Sequence, residues 1–296
     1  MRVHHLNCGT MCPVGGRLVT GEGGLRSPAR LVCHCLLVES DDGLVLVDTG
    51  FGAADLADPR GRLGAGFVSV VRPRLDPEET ALRRIERLGF RAADVRHVIV
   101  THLDPDHAGG LSDFPEATVH LLADEHEAAR APRLRIEHAR YRRPQLAHRP
   151  RFAPHSTEQG ERWFGFDRIR PIDRVGDELL LIPLLGHTRG HTGVAVRDEV
   201  GWLLHCGDAY FFREEIAATP RCPVGLRLFQ RIDDVDHAAR LANQARLREL
   251  ARTREVRLFC AHDPVELDRL AAPIGHTNRF APVGGAPSGA VSPANR

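Results

Sequence analysis

The chain has 296 residues, enough for a sizeable core in one large domain or two small ones. It is 42% hydrophobic and 27% charged, as ordinary globular proteins are, and its formal net charge of +1 offers no global attraction to nucleic acid or an acidic membrane. No window approaches the ~18 apolar residues of a membrane span, and the opening MRVHHLNCGTMCPVGG lacks the layout of a secretory signal.

In chain order, apolar runs of strand length occur at LVCHCLLVE (31–39), GLVLVD (43–48), HVIVT (97–101) and ATVHLL (117–122). They continue at ELLLIP (178–183), TGVAVR (192–197), WLLHC (202–206) and VRLFCA (256–261). Asp41, Asp42 and Gly43 predict a hairpin turn between the first two runs. Asp76, Pro77 and Glu79 have the pattern of a capping box, with Leu82, Ile85 and Leu88 on one helical face and Gly89 as the stop. Further helices are expected over 123–131 and 234–251. Strands followed by helices predict an α/β fold, with sheets covered by helices. Residues 52–76 and 128–170 lack a clean strand pattern and are expected to form lid insertions. A single domain is expected over 1–283, and residues 284–296 read as a flexible tail.

Seven cysteines, at 8, 12, 33, 35, 206, 222 and 260, form no paired C-x-x-C spacing, which suggests free thiols in a reducing cytoplasm. All 40 basic residues are Arg, a bias better credited to the genome than to function. The segment 128–151 carries eight Arg and one Glu; a solvated helical hairpin is the plainer reading and an anion-binding surface the other. Trp163, Phe164, Phe166, Phe211 and Phe212 could line an apolar pocket or simply fill a lid core.

Chemistry gathers where apolar runs stop. HVIVT runs into HLDPDH, LLLIPLL into GHTRGH, WLLHC into Gly207-Asp208, and VRLFCA into His262-Asp263. Side chains at the ends of buried strands have little positional freedom, which a metal or catalytic site requires. His102 and Asp104, two apart, point the same way in an extended segment, while Pro105 lets the chain turn so that Asp106 and His107 face a second point nearby. Capping of a helix by Asp104 or Asp106 would explain one carboxylate but not the two histidines.

At these residues the chain resembles the metallo-β-lactamase superfamily, whose hallmark is HxHxDH followed by a separate His, an Asp and a final His. The series here is His102, Asp104, Asp106, His107, His187, Asp208 and His262, and VDTG (47–50) and GHTRGH also match. The resemblance extends from about residue 30 to 265 and implies a four-layer αββα sandwich with a dinuclear metal centre. The HLNCG opening and the insertion before His187 look most similar to N-acyl homoserine lactone lactonases. By analogy one ion takes His102, Asp104 and His187, and the other takes Asp106, His107 and His262, with Asp208 bridging. His191 and Asp48 are expected to support ligands from behind. Tyr210 is a candidate oxyanion donor, although it stands two residues past Asp208 where the lactonase pattern has three.

Asp104 replaces the family's second His. A carboxylate there makes a two-ion centre less positive, which favours iron or manganese alongside zinc as the two divalent ions. The resemblance implies a hydroxide bridging the ions that opens an ester or lactone, with Asp106 as ligand and proton shuttle. The expected partner is a small-molecule ester or lactone, with no nucleic acid and no membrane, and a homodimer stays open. The alternatives are an iron oxidoreductase of the same fold, resembling flavodiiron proteins with Glu at the Asp104 position, and a non-catalytic metal- or ligand-binding relative.

Overall fold

The structure, a computed structural model, describes residues 1–158, 160–172 and 175–272. Its strands form two six-stranded sheets. The first runs in the order β1 (Arg2–Met11), β2 (Leu31–Ser40), β3 (Gly43–Val47), β4 (Val95–Ile99), β5 (Thr118–Leu122) and β6 (Arg151–His155). The second contains β7 (Glu161–Trp163), β8 (Phe166–Ile172), β9 (Gly176–Pro183), β10 (Thr192–Asp198), β11 (Gly201–His205) and β12 (Val256–Phe259), in the reverse order across the sheet. β3, β4, β5 and β6 are parallel to one another, as are β11 and β12, and the remaining pairs are antiparallel.

The central strands are apolar on both faces because both faces are covered. From β2 and β3, Leu36, Val38, Val45 and Val47 face Leu179, Leu181, Val194 and Val196 of the second sheet. Their neighbours Leu37, Leu44 and Leu46 face the other way, against Ile85, Leu111 and Phe114. Beyond the second sheet, Leu180, Ile182 and Leu204 pack on Leu247 and Leu250 of the helix His237–Thr253. The result is the expected αββα order of layers. No helix among the described residues is long and apolar enough to cross a membrane.

The hairpin turn forms where expected, with Ser40 paired to Gly43. The expected capping box instead splits into two pieces. Asp76 caps a short 3-10 turn, Pro77–Glu79, and Thr80 then caps the helix Ala81–Arg87, its hydroxyl accepting from the Arg83 amide at 3.3 Å. Strands β1, β6, β7 and β8, and the helices Val224–Asp233 and Pro264–Ala271, carry no pattern that the sequence reading picked out. β1, β6 and β7 lie at sheet edges, where polar residues and Pro are tolerated.

Residues 52–76 form three short helices, Ala53–Ala57, Pro59–Arg62 and Ala65–Val71. Within the stretch 128–170, β6, β7 and most of β8 belong to the sheets. Its first part is laced to the first insertion: Arg62 reaches the Pro144 carbonyl and Gln145, Arg142 reaches the carbonyls of Gly61 and Arg62, and Gln145 reaches Asp55. The expected tail, 284–296, lies outside the described residues.

Candidate metal centre

Five strand ends deliver the site. β3 ends at Asp48, β4 leads into His102–His107, β9 into His187, β11 into Asp208, and β12 into His262; all of these functional side chains are buried. Three sets of donors converge, His102–Asp104–His187, His102–His107–Asp208 and Asp106–His107–His262, and within each set the ligand atoms lie within 4.8 Å of one another. All seven residues expected as ligands are therefore brought together.

The spacing is informative. Bonds of about 2.0–2.2 Å to a tetrahedral ion place the ligand atoms roughly 3.4 Å apart. Here His107 Nε2 lies 3.4 Å from Asp208 Oδ1, and His262 Nε2 lies 3.1 Å from Asp208 Oδ1 and 3.6 Å from Asp106 Oδ2. On the other side, His102 Nε2 lies 3.4 Å from Asp104 Oδ2, and His187 Nε2 lies 3.2 Å from Asp104 Oδ2 and 3.4 Å from Asp208 Oδ2. Asp208 thus offers one oxygen to each side.

Three imidazoles are aimed by their far nitrogen. His107 Nδ1 donates to Asp48 Oδ2 at 2.8 Å, and His262 Nδ1 to the Val32 carbonyl at 2.8 Å. His102 Nδ1 lies 3.0 Å from Thr101 Oγ1, whose hydroxyl itself donates to Asp48. The inward nitrogens of His102 and His107 have no hydrogen-bond partner, and neither have Asp104 Oδ1 and Asp208 Oδ1. Buried polar atoms left open at one point are what a divalent cation satisfies. The donor chemistry of Asp106, His107, His262 and Asp208 fits such an ion. Burial holds His102 neutral, with its pKa lowered to about 4, and pushes the Asp106 carboxyl up.

The Asp104 side differs through a residue of the arginine-rich segment expected to be a solvated hairpin. Arg140, at the end of the helix Arg135–Arg140, is 5% exposed, and its Nη1 lies 2.7 Å from Asp104 Oδ2 and 2.9 Å from His187 Nε2. Burial alone would raise the Asp104 carboxyl; Arg140 and His102 beside it hold it well below the usual carboxylate range. Glu137, three residues earlier, accepts from the Arg133 and Leu134 amides and pairs with Arg189 in the GHTRGH turn, which fixes the helix face that Arg140 shares. Eight Arg in one segment gave no sign of which was internal; the i, i+3 pair Glu137 and Arg140 was the only available hint.

The supporting residues also separate. Both nitrogens of His191 are engaged, Nδ1 with the Leu184 carbonyl and Nε2 with the Asp208 amide, so it positions Asp208 and has no lone pair left for an ion. Gly207, at φ 52°, makes this contact feasible, since a Cβ there would stand 2.5 Å from His191 Nε2. Tyr210 is turned away: its hydroxyl reaches Glu266 at 3.2 Å in the core behind the second sheet. Phe211, the next residue, instead stacks on His262 with ring centroids 5.0 Å apart. Trp163 packs on Trp202, Phe166 lies under Arg246, and Phe212 lies under Arg213, so of the five candidate aromatics only Phe211 borders the site.

Above the donors opens a cavity of about 660 Å³. Asp104, Asp106, Arg140, Asp208 and His262 line one part, and Leu18, Leu63, Phe67, Val70, Leu226 and Phe229 form an apolar wall.

Residues 28–262 match the family profile described as the metallo-β-lactamase superfamily. A probable metallo-hydrolase of Mycobacterium tuberculosis is 47% identical over 267 residues, covering 89% of this chain and 81% of the relative. An N-acyl homoserine lactonase of Rhizobium johnstonii is 33% identical over 137 residues, 45% of this chain and 49% of the relative. Among solved structures, an N-acyl homoserine lactone hydrolase with N-hexanoyl-L-homoserine at its catalytic metal centre superimposes with a TM-score of 0.68 at 20% identity, covering 90% of this chain and 95% of that one. A dizinc quorum-quenching lactonase superimposes with a TM-score of 0.59 at 18% identity, covering 88% and 87%.

Proposed function

The chain belongs to the metallo-β-lactamase superfamily, and from that premise we propose that it is a metal-dependent hydrolase opening an ester or lactone with an apolar acyl arm. The observation that carries this reading is a cluster of buried metal donors, Asp104 and Asp208 among them with an unpartnered oxygen, at one end of a cavity whose wall is apolar. Lactonases among the relatives and structural neighbours support the substrate class.

Asp106, His107, His262 and Asp208 would hold a divalent ion, which supplies Lewis acidity and a water acidic enough to attack at neutral pH. Zinc, iron and manganese all suit this mixed carboxylate and imidazole set. Asp106, buried beside His262 and bordering the cavity, takes the proton from the attacking water and returns it to the departing alkoxide as the acyl C–O bond breaks. Phe211, stacked on His262, keeps the reacting carbonyl out of bulk water, and the apolar wall receives the acyl arm. Tyr210 has no part in this scheme, because its hydroxyl faces Glu266.

The test is turnover of aryl esters and N-acyl homoserine lactones of increasing acyl length by metal-loaded protein. We expect kcat/KM to rise with chain length until the wall is covered, and activity to vanish with chelator and return with metal. Asp106→Asn should lower kcat by roughly 10²–10⁴-fold, with a much smaller change in KM. Failure to hydrolyse either class, together with oxygen uptake when a reduced flavin supplies electrons, would move the reading to the oxidoreductase.

A further inference from the structure

We propose that the guanidinium of Arg140 stands in for one of the two cations of the fold's metal centre, leaving a single ion position at Asp106, His107, His262 and Asp208. The inference rests on the metal-dependent reading above. An imidazole nitrogen has one lone pair, and arginine only donates, so a hydrogen bond from Arg140 Nη1 to His187 Nε2 occupies the electrons an ion would need. The same Nη1 donates to Asp104 Oδ2, the oxygen facing His102 and His187.

Geometry sharpens the conflict. Nη1 and these two atoms form a triangle with sides of 2.7, 2.9 and 3.2 Å. An ion bonded to both atoms at about 2.1 Å would lie within about 3.7 Å of Nη1 and would have to take from it the His187 lone pair that its hydrogen bond occupies. Nor is the guanidinium loosely placed, since Nη2 donates to the Asp233 carbonyl at 2.5 Å and lies 3.4 Å from Asp233 Oδ2.

Charge tells the same story. Asp106 and Asp208 alone balance one divalent ion, while Arg140 is set against the two carboxylates of Asp104 and Asp233. The Asp104 carboxylate neutralises the guanidinium beside it, which a neutral imidazole at that position could not do. Arg140 also borders the cavity, so its fixed positive charge lies beside any substrate that enters.

Counting metal in the full chain by mass spectrometry, after loading with excess zinc or manganese and removal of free ion, tests this. We expect one ion per chain in the parent and in Arg140→Lys, and two in Arg140→Met; a single Mn(II) per chain should also show no spin-coupled signal in electron paramagnetic resonance. Two ions in the parent overturn the proposal and leave the hydrolase reading intact. One ion in both the parent and a folded Arg140→Met overturns it as well, because Arg140 is then not what excludes the second. If Arg140→Met does not fold, the parent count and the manganese spectrum decide. No ion in the parent at saturating metal removes the metal-dependent reading and this inference with it.

Discussion

Asp48 sits in the left-handed region, at φ 54°, a conformation that Asp tolerates better than most residues. There its carboxylate accepts from the Thr101 amide at 2.7 Å, the Thr101 hydroxyl at 2.8 Å and His107 Nδ1 at 2.8 Å. Asp48→Asn keeps the shape and the backbone preference but can present an N–H to His107 Nδ1. His107 would then favour the tautomer whose inward nitrogen carries the proton and cannot ligate. We expect metal affinity to fall by about 10–100-fold, measured by chelator competition, with little change in far-ultraviolet circular dichroism. An unchanged affinity would mean that His107 does not need this support. At this scale the sequence was legible where residue type and position both carried chemistry, as in HLDPDH and GHTRGH. It was opaque at Arg140, whose meaning comes from a helix docking across the cleft, and at Tyr210, where one residue of spacing turned the hydroxyl to Glu266.

Among the elements, the helix Ala123–Arg130 joins the ligand loops through one side chain. Glu125 is fully buried and accepts from the Leu103 amide, the Tyr141 hydroxyl, the Thr188 hydroxyl and the Gly190 amide. It therefore ties HLDPDH, GHTRGH and the second insertion to one carboxylate. Glu125→Ala strands four buried donors at a cost of about 1–3 kcal/mol each before relaxation, so a fall of several kcal/mol in urea stability should accompany loss of bound metal. Tyr141→Phe removes only one donor and should cost about 1 kcal/mol. Gly190→Ala should resemble the Glu125 variant, because its Cβ would stand 2.0 Å from the Glu125 amide nitrogen. Strands buried on both faces, such as β2 and β3, were readable as apolar runs. β1 was not, since His4, His5 and Asn7 interrupt it and find partners in Glu39, His34 and Thr10 that only the fold supplies.

Across the whole molecule, two histidines away from the candidate metal centre, the buried His34 and the half-buried His5, set an acid limit. Burial, assisted by the nearby charge of Arg257, lowers the pKa of His5 from 6.5 to about 4, and burial holds its neighbour His34 well below the usual range. The unfolded chain binds these protons near pH 6.5 and the folded chain refuses them. Their contribution is therefore complete above about pH 6.5 and is lost as pH falls from there toward 4, on the order of 3 kcal/mol for His5 alone. Urea midpoints at pH 7.5 and 5 should differ for the parent, and by less in His5→Gln, where His34 still contributes; equal acid sensitivity in both would assign the effect elsewhere. The layered architecture was legible from the alternation of apolar runs and helices, but the way the two insertions lace together was not, because Arg62, Arg142 and Gln145 read as surface residues. The donors themselves come from opposite sides of the sandwich: His102, Asp106 and His107 follow a strand of one sheet, and His187, Asp208 and His262 follow strands of the other. A cation shared between them would rivet sheet to sheet, so starving the protein of metal should slacken the entire body and not merely silence its cleft.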